Sequence, residues 1–199
     1  LSLAGVLVLG PRVIPVLRKL KFGQTVYELG PQSHKTKQGT PTMGGLMFVL
    51  TTCLAAAVLT GSWYGQWDFT LALIGVSLLT MLVGFVDDYI KVVKKRNLGL
   101  IWWQKVVAQV VISLAFSWYC YRNPMVGSSV IVPFFNVEWD LGAFYVPLMT
   151  LAMIFMVNSA NLQDGLDGLL SSVSVIGSSA WGLIAVFVTL AGASALSSE

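Results

Sequence analysis

Apolar stretches alternate with short polar segments along the whole chain. The stretches cover residues 1–16, 43–63, 69–86, 102–121, 141–157 and 169–191. The fifth contains no charged residue and is nearly as long as the roughly 20 residues that a helix needs to cross a bilayer. The pattern therefore predicts an all-α polytopic membrane protein with about six transmembrane helices in this chain.

The same pattern makes two local predictions. Pro11 and Pro15 interrupt the first apolar stretch, and because proline breaks the helix interior, we expect this span to be short. Between the fourth and fifth stretches, the β-branched and aromatic run 128–135 predicts a small external β-hairpin lying on the membrane. No repeat or linker divides the sequence, so we expect a single transmembrane domain over 1–199.

Composition agrees with a membrane protein and excludes an ordinary soluble domain. Hydrophobic residues make up 56% of the chain and charged residues 11%, against about 25% charged in a typical soluble domain. Cys53 and Cys120 both lie inside apolar spans, so we interpret them as small hydrophobic residues and expect no disulfide. We expect a membrane lipid environment and no nucleic-acid partner.

Charge along the chain predicts its orientation. Of the 12 Lys and Arg residues, all but Arg122 lie between Arg12 and Lys37 or between Lys91 and Lys105. Because basic loops stay on the cytoplasmic side, both basic stretches are expected inside, and the connections 62–68 and 122–140 outside. The span count then places the acidic loop 158–168 in the cytoplasm as well. Three polar clusters are therefore predicted on one membrane face.

The cluster at 156–168 contains two Asp-Gly pairs and follows directly on the fifth apolar stretch. Asp-Gly favours tight turns, which alone would make it an interfacial loop. Asn158 and Asn161, however, add amides at helical spacing to Asp164 and Asp167, and convergent polar groups beside a membrane need partners or a function. A loop and a binding site both remain open.

The cluster at 33–45 joins cations and hydroxyls to Gly44-Gly45, which precede the second apolar stretch. A helix N-terminus with a nearby lysine is suited to binding phosphate. An ordinary positive-inside loop capped by Thr42 explains the same residues. His34 is the only histidine in the chain and by itself indicates little.

Asp87 and Asp88 begin the third cluster, where the third apolar stretch ends. Asp87 and Lys91 are four residues apart and could form a simple exposed helix pair. Adjacent aspartates repel each other and are opposed by the dipole at a helix C-terminus, so a cation or a catalytic task explains them better. Magnesium commonly binds through one or two carboxylates together with substrate phosphate.

Together the clusters suggest phosphoryl transfer at the lipid boundary, with magnesium and lysines holding phosphates and an aspartate acting on the attacking oxygen. An ion-coupled transporter is the alternative from another class. A transport site is expected near the membrane midplane, whereas these acids lie at the ends of spans.

The motifs resemble the phospho-N-acetylmuramoyl-pentapeptide transferase family in order and spacing. They are Ser33 to Gly45, Gly84 to Tyr89 with Lys91, and Asn158 to Gly168. The last two also resemble the wider polyprenyl-phosphate N-acetylhexosamine-1-phosphate transferase superfamily, whereas the stretch from Lys37 to Gly45 indicates the muramoyl-pentapeptide branch. A related sugar specificity and an inactive partial scaffold are the remaining alternatives.

The resemblance implies transfer of phospho-MurNAc-pentapeptide from UDP-MurNAc-pentapeptide to undecaprenyl phosphate, giving lipid I and UMP in peptidoglycan synthesis. It also implies Mg²⁺ as cofactor, a cytoplasmic-facing active site in the bacterial inner membrane, and a homodimer. Family members have about ten spans, and their main metal-binding aspartate and a histidine-rich loop would follow Glu199. We therefore expect this chain to be the N-terminal part of such an enzyme, incomplete at its C-terminus.

The resemblance also assigns roles to individual residues. Asp87, Asp88 and Asp164 match catalytic positions, with Asp87 the candidate to deprotonate the lipid phosphate and Asp88 the candidate metal ligand. The implied substrate-binding residues are Lys37, Thr42, Lys105, Asn158, Asn161, Gly165, Leu166 and Asp167.

Overall fold

The computed structural model describes residues 1–19, 43–61, 67–94, 99–132, 135, 137–165 and 168–196. This part of the chain is almost entirely helical. The helices are α1 (Ser2–Lys19), α2 (Gly45–Leu59), α3 (Trp67–Val93), α4 (Trp102–Arg122), α5 (Tyr145–Gln163) and α6 (Leu169–Leu196). The all-α prediction is confirmed, and each predicted span contains a helix.

Three helical stretches are long and apolar enough to cross a membrane. They are Trp67–Val93, Gly142–Gln163 and Leu169–Leu190. Helices α1 and α2 are also apolar but shorter. Helix α4 has 21 residues, and its buried face carries polar side chains. The described residues thus include several apolar helices whose length and composition suit a membrane.

Pro11 and Pro15 do not end the first helix. Helix α1 continues through both prolines as far as Lys19. Its apolar part, Ser2–Leu17, is shorter than the three spanning stretches, as the sequence predicted. The Arg12 guanidinium donates a 3.0 Å hydrogen bond to the Val8 carbonyl, four residues earlier in the same helix.

Two helices extend beyond the apolar stretches that predicted them. Helix α3 continues to Val93, beyond the apolar stretch that ends at residue 86. Asp87, Asp88 and Lys91 therefore lie on a helix and not in a loop. Helix α5 begins at Tyr145 and continues to Gln163, so it carries Asn158 and Asn161. Hydrophobicity predicts where a span leaves the hydrocarbon, but backbone hydrogen bonding can continue the helix into the polar region.

Helices α1 and α2 pack closely where α1 carries a glycine. A Cβ atom added to Gly5 would lie 2.8 Å from the Thr51 Cγ2 methyl group. Thr51 is buried, and its hydroxyl donates a 2.8 Å hydrogen bond to the Met47 carbonyl of its own helix. Small residues at such contacts let membrane helices approach each other closely.

Helix α4 buries a polar face, and its neighbour in the fold is α3. Gln109, Ser113 and Ser117 follow at intervals of four residues and are all nearly inaccessible to solvent. Gln109 and Ser117 both have interaction partners. A polar stripe turned away from lipid lets side chains bond within the protein instead of facing hydrocarbon.

The predicted β-hairpin is present, and its external location stays a prediction. Strands β1 (Ser129–Val132) and β2 (Val137–Asp140) pair antiparallel, with Ser129 opposite Asp140. A short 3₁₀ turn, Gly142–Phe144, then leads into α5. Val130 packs on a buried cluster formed by Cys120, Tyr145 and Val146. The hairpin is therefore attached to the facing ends of α4 and α5.

The chain divides into two compact units, residues 1–151 and 152–199, with the boundary inside α5. Unit 1 holds α1 to α4, the hairpin and the start of α5. Unit 2 holds the rest of α5 and α6. The single transmembrane domain predicted from the sequence stays a prediction.

The contact between α1 and α2 makes a testable prediction. Gly5→Ala should destabilise the protein by about 1–3 kcal/mol, because the new methyl group has no room against Thr51. Denaturant or thermal unfolding in detergent would measure the change. Thr51→Ser, which removes Cγ2 and keeps the hydroxyl, should restore part of the loss.

Gly75→Ala is the matched control, because a Cβ atom at this position of helix α3 meets no other part of the protein within 4 Å. Alanine favours a helix over glycine, so this variant should be neutral or slightly more stable. Equal effects at Gly5 and Gly75 would contradict the close contact.

Candidate functional site

Asp87 and Asp88 lie on α3 immediately after its apolar stretch, which ends at Val86, and share one lysine. The Lys91 ammonium is 2.7 Å from Asp87 Oδ2 and 3.0 Å from Asp88 Oδ1. The Asp87 side chain is 13% exposed and that of Asp88 is 33% exposed. Helical spacing of three and four residues brings the ammonium between the carboxylates. Lys91, only a supporting residue in the sequence argument, therefore lies at the centre of this cluster.

The second oxygen of Asp87 is held by backbone from beyond α3. The Leu100 N–H donates a 2.8 Å hydrogen bond to Asp87 Oδ1. Gly99, the preceding residue, is buried against the same aspartate. Both carboxylate oxygens of Asp87 are therefore hydrogen-bonded, and the start of the next helix is tied to the end of α3.

The N-terminus of α4 brings a second lysine toward this cluster. Gln104 accepts a 3.2 Å hydrogen bond from the Ile101 N–H through Oε1, and the Lys105 N–H bonds to the Ile101 carbonyl. These bonds order the first turn of α4, on which Lys105 lies half-buried. The Lys105 charge acts on Asp87. The structure thus joins Asp87, Asp88 and Lys91 in one cluster, with Lys105 near enough for its charge to act on Asp87.

The charges around Asp87 alter its protonation. Burial is the strongest influence and would raise its pKa, but the hydrogen bonds from Lys91 and Leu100 and the charges of Lys91 and Lys105 together lower it below the ordinary 3.8. Burial likewise opposes the charge of Lys91, yet its two carboxylate partners raise its pKa. Both groups follow the apolar stretch 69–86 and lie in the polar last turns of α3. Asp87 is therefore ionised at neutral pH.

The predicted amide residues occupy the end of α5 in unit 2. The Asn158 side-chain amide donates a 2.8 Å hydrogen bond to the Ile154 carbonyl, and Asn161 has an interaction partner of its own. Asp164 follows in an exposed turn, with its N–H still bonded to the Ala160 carbonyl. Steps of three residues rotate by about 60° on a helix, so these side chains emerge on one side of the helix end.

The turn from α5 to α6 begins at Gly165 and includes Gly168. Gly165 is exposed, and a Cβ atom there would meet only the Leu162 carbonyl, at 3.5 Å. Gly168 has a φ of +81°, in the left-handed region that glycine enters easily. Its carbonyl accepts bonds from the backbone and hydroxyl of Ser172, at the start of α6. The sequence prediction of tight glycine turns is confirmed at Gly168.

Four predicted substrate-binding residues lie outside the described part of the chain. They are Lys37, Thr42, Leu166 and Asp167. Met43, the first described residue after the basic loop, is buried and has a φ of +69°. A methionine in the left-handed region costs about 1–2 kcal/mol. The backbone is therefore constrained where the basic segment meets α2.

The Asp87 cluster lies in unit 1, and the segment from Asn158 to Gly165 lies in unit 2. Convergence of the three predicted polar clusters therefore stays a prediction.

Sequence reasoning missed the contribution of Gly99 and Leu100 to the Asp87 cluster. A glycine just before a predicted helix was the available signal, since such a residue permits close backbone approach.

The donors in this cluster fit a magnesium ion only as part of a larger coordination set. No group of three or more His, Cys, Asp or Glu side chains capable of holding a metal occurs within the described residues. Asp88 bonds Lys91 through Oδ1 and is partly exposed. One such carboxylate, completed by phosphate oxygens and water, is a common way to bind Mg²⁺.

Comparison with known families places most of the chain in one of them. The family described as glycosyl transferase family 4 matches residues 70–198. Signature 1 of phospho-N-acetylmuramoyl-pentapeptide-transferase matches residues 37–49. The first match contains the Asp87 cluster and the Asn158–Asp164 segment, and the second contains Met43.

Relatives named phospho-N-acetylmuramoyl-pentapeptide-transferase cover most of this chain. The Heliobacterium modesticaldum protein is 46% identical over 168 residues, which are 84% of this chain and 51% of that protein. The Caldanaerobacter subterraneus protein is 42% identical over 189 residues, which are 94% of this chain and 58% of that protein. The chain thus spans about half the length of the relatives it matches.

The shared lysine makes a prediction about Asp87. Lys91→Met should raise the pKa of the Asp87 carboxyl, because burial would then be opposed only by Leu100 and Lys105. Because the pKa of Asp87 in the folded protein is below the unfolded value of 3.8, ionisation of Asp87 stabilises the fold above pH 3.8. This contribution is lost as the pH falls through the folded pKa. Between neutral pH and pH 3, the free energy of unfolding of Lys91→Met should therefore fall by less than that of the unchanged protein.

Titration of ¹³C-labelled aspartate carboxyl groups by NMR in detergent would measure this shift. Lys94→Met is the control, because it removes a lysine from the same helix end that does not bond either aspartate. An Asp87 pKa unchanged in Lys91→Met, or raised equally by both substitutions, would contradict the pairing.

Proposed function

This chain belongs to glycosyl transferase family 4, and we propose that its protein transfers phospho-MurNAc-pentapeptide from UDP-MurNAc-pentapeptide to undecaprenyl phosphate, releasing UMP. The match of residues 37–49 to the phospho-N-acetylmuramoyl-pentapeptide-transferase signature supports this choice of sugar. The names of the relatives support it as well. The single structural observation that carries the proposal is the pair of carboxylates bridged by Lys91 at the end of a membrane span.

The proposed reaction exchanges one phosphoanhydride bond for another. An oxygen of the lipid phosphate attacks the sugar-bearing phosphorus of the nucleotide, and the bond from that phosphorus to the UMP oxygen breaks. The products are a lipid-linked diphosphate sugar and UMP, which leaves with the bonding electron pair. Little covalent chemistry falls to the protein, so catalysis depends on positioning and on balancing charge.

Asp87 is ionised and can accept a proton, but its lowered pKa makes it a weak base. A phosphate monoester loses its second proton near pH 6, so much of the lipid phosphate is already a dianion at neutral pH. We therefore propose that Asp87 serves chiefly to orient its neighbours. Removing the last proton from the attacking phosphate is its lesser task.

Charge balance supports a divalent cation at this site. Asp87 and Asp88 are balanced by Lys91 and Lys105, so the cluster has no net positive charge with which to offset the two anionic substrates that must approach it. Mg²⁺ held by Asp88 and by phosphate oxygens would neutralise the charge of these substrates and polarise the phosphorus. Lys105, on the first turn of α4, would bind phosphate from the other side.

The remaining parts of the proposal concern substrate contacts and assembly. Asn158, Asn161 and Asp164 present amides and a carboxylate that suit a nucleotide base and ribose, with Gly165 leaving room beside them. Lys37, Thr42, Leu166 and Asp167 are proposed to complete this set. We also propose a homodimer in the bacterial inner membrane, with the site facing the cytoplasm.

Asp87→Asn and Asp164→Asn should each lower magnesium-dependent UMP release at least about 100-fold, because catalysis here depends on positioning, and misplacing a reacting group can cost on the order of 100-fold. The assay uses this chain in detergent with UDP-MurNAc-pentapeptide and undecaprenyl phosphate, with and without Mg²⁺. UDP-N-acetylglucosamine replaces the donor in a parallel reaction to test the related sugar specificity.

Asp140→Asn is the matched control, because Asp140 is an exposed carboxylate on the β-hairpin, where it bonds Ser128 and the Gly142 N–H. The rate of UMP release by Asp140→Asn should stay within about twofold of that of the unchanged chain, because substitutions of exposed surface residues usually have small effects. Full activity in Asp87→Asn, or release that persists without Mg²⁺, would contradict the proposed mechanism.

A further inference from the structure

Gly99 lies where the loop after α3 returns to its starting helix. It is buried, and the next residue donates the 2.8 Å hydrogen bond to Asp87 Oδ1. The φ of Gly99 lies outside the left-handed region, so its backbone conformation is open to any L-residue. The reason for glycine here must therefore be space.

A side chain at this position would collide with Asp87 itself. A Cβ atom at Gly99 would overlap Asp87 Oδ1, and it would lie 2.6 Å from the Asp87 carbonyl oxygen and 2.7 Å from its Cγ. Such distances are well below van der Waals contact. One of the three atoms is backbone of α3, which cannot rotate away as the end of a flexible side chain could. Even alanine would thus force the two segments apart.

The close approach at Gly99 determines how the two oxygens of the Asp87 carboxylate are held. The 99–100 backbone can donate to Oδ1 only by approaching this closely, and Lys91 bonds the other oxygen, Oδ2. Two bonds, one to each oxygen, fix the rotation of the Asp87 carboxylate. The same approach brings the first turn of α4, with Lys105, toward Asp87.

We propose that Gly99 is a positioning residue of the site: the absence of a side chain lets the 99–100 backbone close on Asp87 and hold its carboxylate in one orientation. Gly99 touches no substrate and acts only through Asp87. Its effect on phosphoryl transfer rests on the proposed function, whereas the backbone contact itself does not. The two can therefore be tested separately.

The contact is tested by hydrogen exchange at the Leu100 amide in the chain labelled with ¹⁵N-leucine, in detergent. The resonance is assigned by its disappearance in Leu100→Val. In Gly99→Ala, protection of this amide should fall about 5- to 10-fold, the factor expected for losing one hydrogen bond. Asp87→Ala, which removes the acceptor, should lower the protection of the same amide and serves as the second variant.

Gly75→Ala is the matched control, because a Cβ atom at Gly75 of α3 has nothing within 4 Å. It should leave Leu100 protected. The amide of Leu114, farther along α4, should be unchanged in every variant and separates local displacement from unfolding. Loss of protection at Leu114 together with Leu100 in Gly99→Ala would overturn a positioning role.

Turnover provides the second measurement. Gly99→Ala should lower kcat for UMP release at least about 10-fold with KM for the nucleotide changed less than about twofold, because orientation of a catalytic group affects the reacting state more than binding. Protection of Leu100 retained in Gly99→Ala would overturn the proposal, whatever the turnover. Lost protection with unchanged kcat would overturn the link to transfer. Lost protection in a chain that never releases UMP would support the positioning role and count against the proposed function.

Discussion

A carboxylate beside hydrocarbon must find partners within the protein, and Asp87 is where this constraint acts most strongly. Its two oxygens are held by Lys91 of the same helix and by the Leu100 N–H, 13 residues further along the chain. The first bond depends only on helical spacing, whereas the second requires the following loop to return to α3. The partners of one charged group thus determine where α4 begins relative to the end of α3, and hence where Lys105 lies.

The same need for internal partners governs the spanning helices. Hydroxyl groups of Thr51, Ser77, Thr80 and Thr150 each donate to a backbone carbonyl one turn earlier in their own helix. A hydroxyl satisfied in this way can face lipid or a neighbouring helix at little cost. The buried stripe on α4 places its polar side chains on the face turned away from lipid. Polar residues therefore occur within these spans without requiring a water-filled cavity.

Apolar periodicity predicted the helices well because hydrocarbon thickness constrains both length and composition. The hairpin was also predictable, since β-branched and aromatic residues between turn residues favour paired strands. Helix ends were less predictable. Asp87 to Val93 and Asn158 to Gln163 are polar enough to indicate a loop, yet their backbone continues the helical hydrogen bonds.

The composition of the candidate site was predicted better than its internal contacts. Asp87, Asp88 and Lys105 were identified from residue type and family resemblance, because carboxylates and lysines at span ends are uncommon without a role. The pair of Lys91 with Asp87 could be predicted from helical spacing, whereas the additional contact of Lys91 with Asp88 depends on side-chain rotamers. The bond from Leu100 to Asp87 joins residues 13 apart and is not encoded in a local pattern. Gly99 was the one feature of the sequence that pointed to the contact between Leu100 and Asp87. Glycine is too common in polar loops for that feature to be specific.

The helical continuation of α3 also supports the proposal that this cluster acts on a lipid phosphate. The seven residues from Asp87 to Val93 rise about 10 Å, which for a helix near the membrane normal would span the headgroup layer of about 5–8 Å on each side of the hydrocarbon. In that placement Asp87, Asp88 and Lys91 would lie at the depth of lipid phosphates while remaining on a rigid helix. A flexible loop could reach the same depth, but it would hold the charged groups less precisely relative to a phosphate that is itself confined to that layer. Extending a spanning helix by two turns thus gives the site its depth, and closing the next backbone segment on Asp87 gives it its orientation.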